Sequence, residues 1–87
     1  MHKTHPEVLK RLRRAHGHLA KVMEMLEDGV DCLMVAQQLQ AVVNAVNNAK
    51  TLHVQDHIEH CLEETLHKDK HNTAVNIKSF KEIAKYL

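Results

Sequence analysis

Apolar residues recur at helical spacing in three stretches of the chain, which predicts three helices. The sequence predicts where the first helix begins, because Thr4 and Glu7 fit a capping box and Pro6 is tolerated in the first turn. Gly29 provides a typical C-terminal stop. We therefore predict an amphipathic first helix between these signals. Its apolar positions are Leu9, Leu12, Leu19, Val22, Met23 and Leu26.

The second predicted helix is much longer than the first. Asp31 is placed to cap it, and residues 32–66 contain neither Pro nor Gly. At ~1.5 Å per residue such a helix would be roughly 50 Å long. Paired with the first helix, it would form a long helical hairpin. Its apolar stripe consists of Leu39, Val43, Val46, Leu52, Ile58 and Leu62.

A short third helix is predicted after a polar interruption at residues 67–73. Its apolar positions are Ile77, Phe80, Ile83, Ala84 and Leu87. The expected fold class is all-α, a three-helix protomer made of a long antiparallel helical hairpin and a short C-terminal helix. We expect residues 1–87 to form a single domain.

Composition indicates that this protomer needs a partner. The 87 residues include one Phe, one Tyr and no Trp, so the core must be built from aliphatic side chains. A chain of this size buries little apolar surface when it folds alone. Oligomerisation would supply the missing core, and we therefore expect at least a homodimer.

The sequence also limits the cellular compartments and the kinds of activity that we expect for this protein. Neither a membrane-spanning apolar run nor a signal-peptide pattern is present, so we expect a cytoplasmic protein without a membrane partner. In that compartment two cysteines are more typical of a metal or redox site than of a structural disulfide. We expect neither enzymatic activity nor a small-molecule substrate, because no hydroxyl lies in a nucleophile elbow and no oxyanion-hole element is apparent.

A pair of metal-ligand residues lies in the second predicted helix. His57 and Cys61 are four residues apart, so their side chains stack on one helix face. An imidazole and a thiolate so placed suit soft or borderline metal ions. The pair alone is equally compatible with a polar surface beside a buried thiol. His53 lies one turn earlier and His60 lies next to the pair, so either could join a site.

Cys32 strengthens the metal interpretation. It precedes His57 by 25 residues in one predicted helix, which separates the two by roughly 37 Å. They cannot share a metal ion within one chain. In an antiparallel helix pair with its two-fold axis near Ala45 and Val46, however, Cys32 of one subunit would lie beside His57 and Cys61 of the other. Each dimer would then hold two Cys/His/Cys sites.

The donor set bears on the choice of metal. Two thiolates and one imidazole form a soft, low-coordinate site that suits Cu(I). Zn(II) would require a fourth ligand. Ni(II) or Co(II) would require further nitrogen or oxygen donors, which His2 or His5 could supply.

The first helix carries a cluster of basic residues. Lys10, Arg11 and Arg14 share one helix face, and Lys21 extends the cluster. Such a face can neutralise DNA phosphates, although an isolated basic cluster is also typical of a solvated helix surface. No helix-turn-helix pattern is present, so standard major-groove docking is not indicated.

These motifs together resemble the CsoR/RcnR family of bacterial repressors, which sense copper, nickel and cobalt, formaldehyde or persulfides. The resemblance extends over nearly the whole chain. It implies a disc-shaped tetramer built from antiparallel four-helix-bundle dimers, with operator DNA as the partner. The motifs that carry it are residues 11–17, Cys32, residues 37–42, and His57 with Cys61.

The resemblance also implies roles for individual residues. Cys32, His57 and Cys61 fall on the family's sensory positions, and this combination is similar to that of the copper members. Copper members typically have Tyr immediately before the first Cys, where this chain has Asp31. Nickel and cobalt members recruit an N-terminal His. We therefore predict a repressor released from DNA by Cu(I), with a nickel or cobalt sensor as the alternative.

Two further functions use the same residues. Persulfide sensing needs two cysteines, which Cys32 and Cys61 would provide. A metal-buffering helical bundle would use the metal ligands but would have no need of the basic face.

Overall fold

The computed structural model describes residues 4–67 and 70–87, which form three helices. They are α1 (His5–Glu27), α2 (Cys32–His67) and α3 (Lys70–Ala84). The chain divides into two compact units, one made of Pro6–Lys50 and the other of Thr51–Leu87 with the N-terminal residues through His5. We call them the hairpin unit and the C-terminal unit. The all-α prediction is confirmed, while the prediction of a single domain stays a prediction.

The connection between α1 and α2 follows from Gly29 and Asp31. Gly29 has a φ of 70°, a left-handed conformation that glycine adopts without steric cost. The Val30 N–H then donates to the Met25 carbonyl at 3.0 Å, which closes the helix end in a Schellman-type arrangement. Asp31 caps α2, because its Oδ2 accepts a hydrogen bond from the Met34 N–H at 3.4 Å. The Gly29 and Asp31 signals are confirmed.

The capping box predicted for Thr4 and Glu7 is wrong. Among the described residues, the buried Thr4 Oγ1 has no hydrogen-bond partner, and the Glu7 carboxylate contacts Arg11 instead.

The core of the hairpin unit is built from small aliphatic residues. Val22, Val35 and Val42 form its buried cluster, and Met25 and Val30 pack against them. Buried positions recur every seven residues, the spacing expected where two helices pack lengthwise. In α1 they are Val8, Ala15 and Val22, and in α2 they include Val35, Val42 and Ala49.

The predicted apolar stripes are largely separate from the buried core of the hairpin unit. Of the residues predicted for α1, only Val22 is buried; Leu12 and Met23 are among those left exposed. In α2 the predicted residues are exposed or half-buried, and Val43 is 58% exposed. The physical reason is that Val and Ala let the two helices approach closely. The larger side chains then lie on a second apolar face of each helix.

The third helix starts earlier and ends earlier than predicted. It begins at Lys70, so the polar residues 70–73 belong to it, and His67 still belongs to α2. Polar side chains interrupt an apolar pattern without preventing helix formation. Leu87 lies beyond the end of α3 and is exposed. Among residues 4–67 and 70–87, no helix is both long and apolar enough to cross a membrane.

Candidate metal site and basic face

His57 and Cys61 lie one turn apart on α2, as their spacing predicts. Cys61 is buried, and His57 is half-buried. The His57 ring is oriented by α3, because its Nε2 and the Ser79 Oγ form a hydrogen bond of 2.7 Å. A hydrogen bond between a hydroxyl group and one ring nitrogen sets the orientation of the ring. It therefore also sets the direction in which the other ring nitrogen, Nδ1, points. The pair therefore presents an imidazole of defined orientation beside a thiol.

Sequence reasoning missed Ser79. A single Ser between Lys78 and Phe80 carries no signal of its own, and only the packing of α3 brings it to His57. The same part of α3 lines a cavity of about 390 Å³ beside the His57 ring. The other residues around this cavity are Glu82, Ile83, Lys85 and Tyr86.

Cys32 is not brought to this pair within the chain. It is the first residue of α2, is exposed, and belongs to the hairpin unit. Among the described residues, no three His, Cys, Asp or Glu side chains are already grouped closely enough to hold a metal ion. The assignment of Cys32, His57 and Cys61 as ligands therefore stays a prediction, and it requires a second subunit.

Two of the additional histidines do come together in the C-terminal unit. The rings of His5 and His53 have centroids 5.3 Å apart, and the His5 Nε2 lies 3.8 Å from the Asp56 Oδ2. Asp56 is buried, with 8% of its surface exposed. His60 is half-buried on α2. His2 lies outside the described residues.

The predicted basic residues are exposed along α1. Arg11 is partly neutralised, since its Nε lies 3.3 Å from the Glu7 Oε1. Arg11 and Arg14 also line a cavity of about 370 Å³ in the hairpin unit. The cavity is completed by Glu7, Ala15, His18, Ala45 and Asn48. Sequence reasoning missed His18, whose Nε2 lies 2.7 Å from the Gln38 Oε1.

The sequence of this three-helix chain matches a known protein family over almost its whole length. A family model described as metal-sensitive transcriptional repressor matches residues 4–87. The chain belongs to this family. The resemblance predicted from the motifs is thereby confirmed. Members of the metal-sensitive transcriptional repressor family are repressors and not enzymes, in agreement with the prediction for this chain.

Relatives within the family carry copper-sensing names. The copper-sensing transcriptional repressor CsoR of Mycobacterium ulcerans (strain Agy99) is 38% identical over 53 residues, 61% of this chain and 45% of that protein. RicR of Mycobacterium tuberculosis (strain ATCC 25618 / H37Rv), also described as copper-sensing, is 32% identical over 53 residues, 61% of this chain and 55% of RicR. The chain thus spans about half the length of these curated relatives.

One solved structure supports the fold. The nickel-responsive transcriptional regulator InrS superposes with a TM-score of 0.83 over 100% of this chain and 97% of its own. The two sequences are 24% identical, so this likeness concerns the three-helix fold alone.

Proposed function

We propose that this chain is a repressor that binds operator DNA without metal and leaves it when Cu(I) binds at a Cys32/His57/Cys61 site between two subunits. The observation that carries the proposal is the His57–Cys61 pair. A buried thiol lies one turn from an imidazole that Ser79 already orients. The hydrogen bond uses Nε2, so His57 would coordinate through Nδ1.

The third ligand would come from an antiparallel second copy. Val43 and Val46 are exposed on α2 and border an almost wholly apolar surface cavity of about 370 Å³ with Val42, Asn47 and Lys50. Fully burying an aliphatic side chain of this size contributes roughly 1.5–3 kcal/mol. A second α2 packed antiparallel over Val46 would cover this surface. The same packing would bring Cys32 of the partner subunit to His57 and Cys61.

Cu(I) suits this donor set better than harder ions. Two thiolates and an imidazole provide soft ligands in low coordination number, the environment that Cu(I) prefers. The copper-sensing names of the relatives support the same choice. Bound Cu(I) would supply a crosslink between two subunits. A nickel or cobalt sensor using His5 is the alternative, and it would require more nitrogen and oxygen donors.

The basic face of α1 would hold the DNA. Lys10, Arg11, Arg14 and Lys21 are exposed and can neutralise backbone phosphates. Metal can weaken this binding only if its affinity differs between the DNA-bound and the released arrangement of subunits. Ligands drawn from two subunits make the affinity depend on that arrangement. We propose that this dependence is the basis of release, in a homotetramer built from such dimers.

The test is anaerobic fluorescence anisotropy on DNA from upstream of the protein's own gene, with Cu(I) and Ni(II) titrated separately. We expect release at about one Cu(I) per subunit, with Ni(II) inert. Cys32→Ala, His57→Ala and Cys61→Ala should bind DNA normally and resist release. Lys81→Ala, which changes an exposed residue of α3 outside the basic face, serves as the control and should behave like the unmodified protein.

The other outcomes distinguish the rival functions. Release by Ni(II) alone would establish the nickel sensor. A tight complex unaffected by either metal would favour thiol or persulfide sensing through the exposed Cys32. Absence of any complex with candidate operators, together with tight metal binding, would favour a metal-buffering bundle. Apo variants that no longer bind DNA would mean that the three residues are structural.

A further inference from the structure

We infer that His5, His53 and Asp56 form a second metal site, which uses only nitrogen and oxygen donors and binds a divalent ion such as Zn(II). All three residues belong to the C-terminal unit, whereas Cys32 does not. The inference goes beyond the proposed function, because this site uses neither thiol. Two imidazoles and one carboxylate are a set that suits zinc and other divalent transition metals but not Cu(I).

The two histidine rings lie slightly farther apart than two rings bound to one metal ion. A ring nitrogen binds zinc at about 2.0–2.1 Å, so two rings on one ion have centroids about 4.5–5.2 Å apart for bond angles between 90° and 109°. The centroids of His5 and His53 are 5.3 Å apart. A tilt of 30° between the ring planes leaves the rings unstacked. Small rotations of both side chains would bring them to the coordinating separation.

The carboxylate is close to the required distance as well. Donor atoms on one ion lie about 3.0–3.4 Å from each other for the same bond lengths and angles. The His5 Nε2 and the Asp56 Oδ2 are 3.8 Å apart. Without an ion, the three side chains do not surround a common point. For His5 and Asp56, the two donor atoms would have to move closer by less than one ångström. His5 can make that adjustment because it is the first residue of α1 and is exposed.

The Asp56 carboxylate is buried beside the His5 ring, where a cation would be stabilised. Asp56 is 8% exposed, and a buried carboxylate is costly unless a positive charge or hydrogen bonds compensate it. The His5 ring lies near this carboxylate, and a divalent ion held with both imidazoles would add an opposite charge in surroundings where charges interact strongly. The remaining places on the ion would be taken by water, as in a site with three protein ligands.

The experiment isolates this site by removing both thiols. In the Cys32→Ala/Cys61→Ala protein, Zn(II) affinity is measured by competition with a chromogenic chelator. We expect about one Zn(II) per subunit to remain, and further replacement of His5 or His53 by Ala to weaken it about tenfold or more. His16→Ala in the same background is the control and should leave the affinity unchanged. Helical content measured by circular dichroism confirms that each variant is folded.

A spectroscopic readout identifies the ligands. Co(II) bound to the thiol-free protein should show weak visible bands and no thiolate charge-transfer absorption, and the bands should disappear in the His53→Ala protein. The inference is overturned if the thiol-free protein binds no Zn(II), or if His57→Ala abolishes binding while His5→Ala and His53→Ala do not. Release of DNA by Cu(I) should persist in the His53→Ala protein with both thiols present, so this site and the proposed function can fail separately.

Discussion

The hydrogen bond between Ser79 and His57 gives the sharpest prediction about the candidate metal site. Ser79→Ala removes a 2.7 Å contact to a half-buried imidazole. A net loss of about 0.5–1.5 kcal/mol in the free energy of unfolding is expected for one such hydrogen bond. The effect on metal affinity should be larger than the effect on stability, because the ring loses the partner that orients it.

The expected magnitude follows from how metal-binding histidines depend on their second hydrogen bond. Loss of such a partner weakens metal binding by about 10- to 100-fold. The Cu(I) affinity is measured by anaerobic competition with a chromogenic Cu(I) chelator, and the free energy of unfolding is measured by urea titration of the apo protein. We expect Ser79→Ala to lose Cu(I) affinity in this range.

Two control variants separate orientation from packing. Ser79→Thr keeps the hydroxyl and should retain most of the affinity. Lys81→Ala changes an exposed residue of the same helix and should have no effect. If Ser79→Ala bound Cu(I) as tightly as the unmodified protein, the argument that Ser79 orients a coordinating His57 would be refuted.

Three further predictions concern the turn, the apolar face and the basic face. Gly29→Ala should destabilise the protein by about 1–2 kcal/mol, because Gly29 has a φ of 70°, whereas Gly17→Ala in the open interior of α1 should stabilise it by about 0.5–1 kcal/mol. Urea titration of both variants checks the opposite signs. Val46→Asp should shift the protein to monomers in sedimentation equilibrium, and unchanged assembly would exclude this face as the subunit contact. Arg14→Ala should reduce the salt dependence of operator binding by about one phosphate contact, measured as the slope of log affinity against log salt.

Local signals correctly predicted the turn between α1 and α2. Gly29 and Asp31 act through backbone hydrogen bonds within a few residues, and both were correctly read as helix signals. The start of α3 was missed, because the polar residues 70–73 carry no cap or stop that separates loop from helix. Apolar periodicity alone placed the start too late.

The core was harder to predict than the helices. Periodicity marks apolar residues without saying which of two apolar faces meets the chain's own partner helix. The small residues Ala15 and Ala49 are buried, whereas Leu12 and Val43 are exposed. Close packing favours the smaller side chains, and this preference appears only once two helices are placed together.

The candidate metal site likewise combines a feature that the sequence predicts with contacts that only the fold creates. The His57–Cys61 pair follows directly from helical spacing, since residues four apart share a face. Its contact with Ser79 spans 22 residues and depends on how α3 packs. The contact of His5 with His53 and Asp56 likewise depends on the fold, so the sequence could name His5 and His53 only as additional candidates.

The central claim is that one metal ion takes Cys32 from one subunit and His57 and Cys61 from another, and subunit mixing tests it most directly. Cys32→Ala and Cys61→Ala proteins are each expected to lack the tight Cu(I) site. After the two are unfolded together and refolded, a mixed dimer regains one complete site and leaves the other doubly broken. Random pairing should therefore restore about one tight Cu(I) per four subunits, measured by chelator competition. If mixing restores no tight site while both separate proteins fold and assemble, the ligands do not come from two subunits in this way, and the account is contradicted.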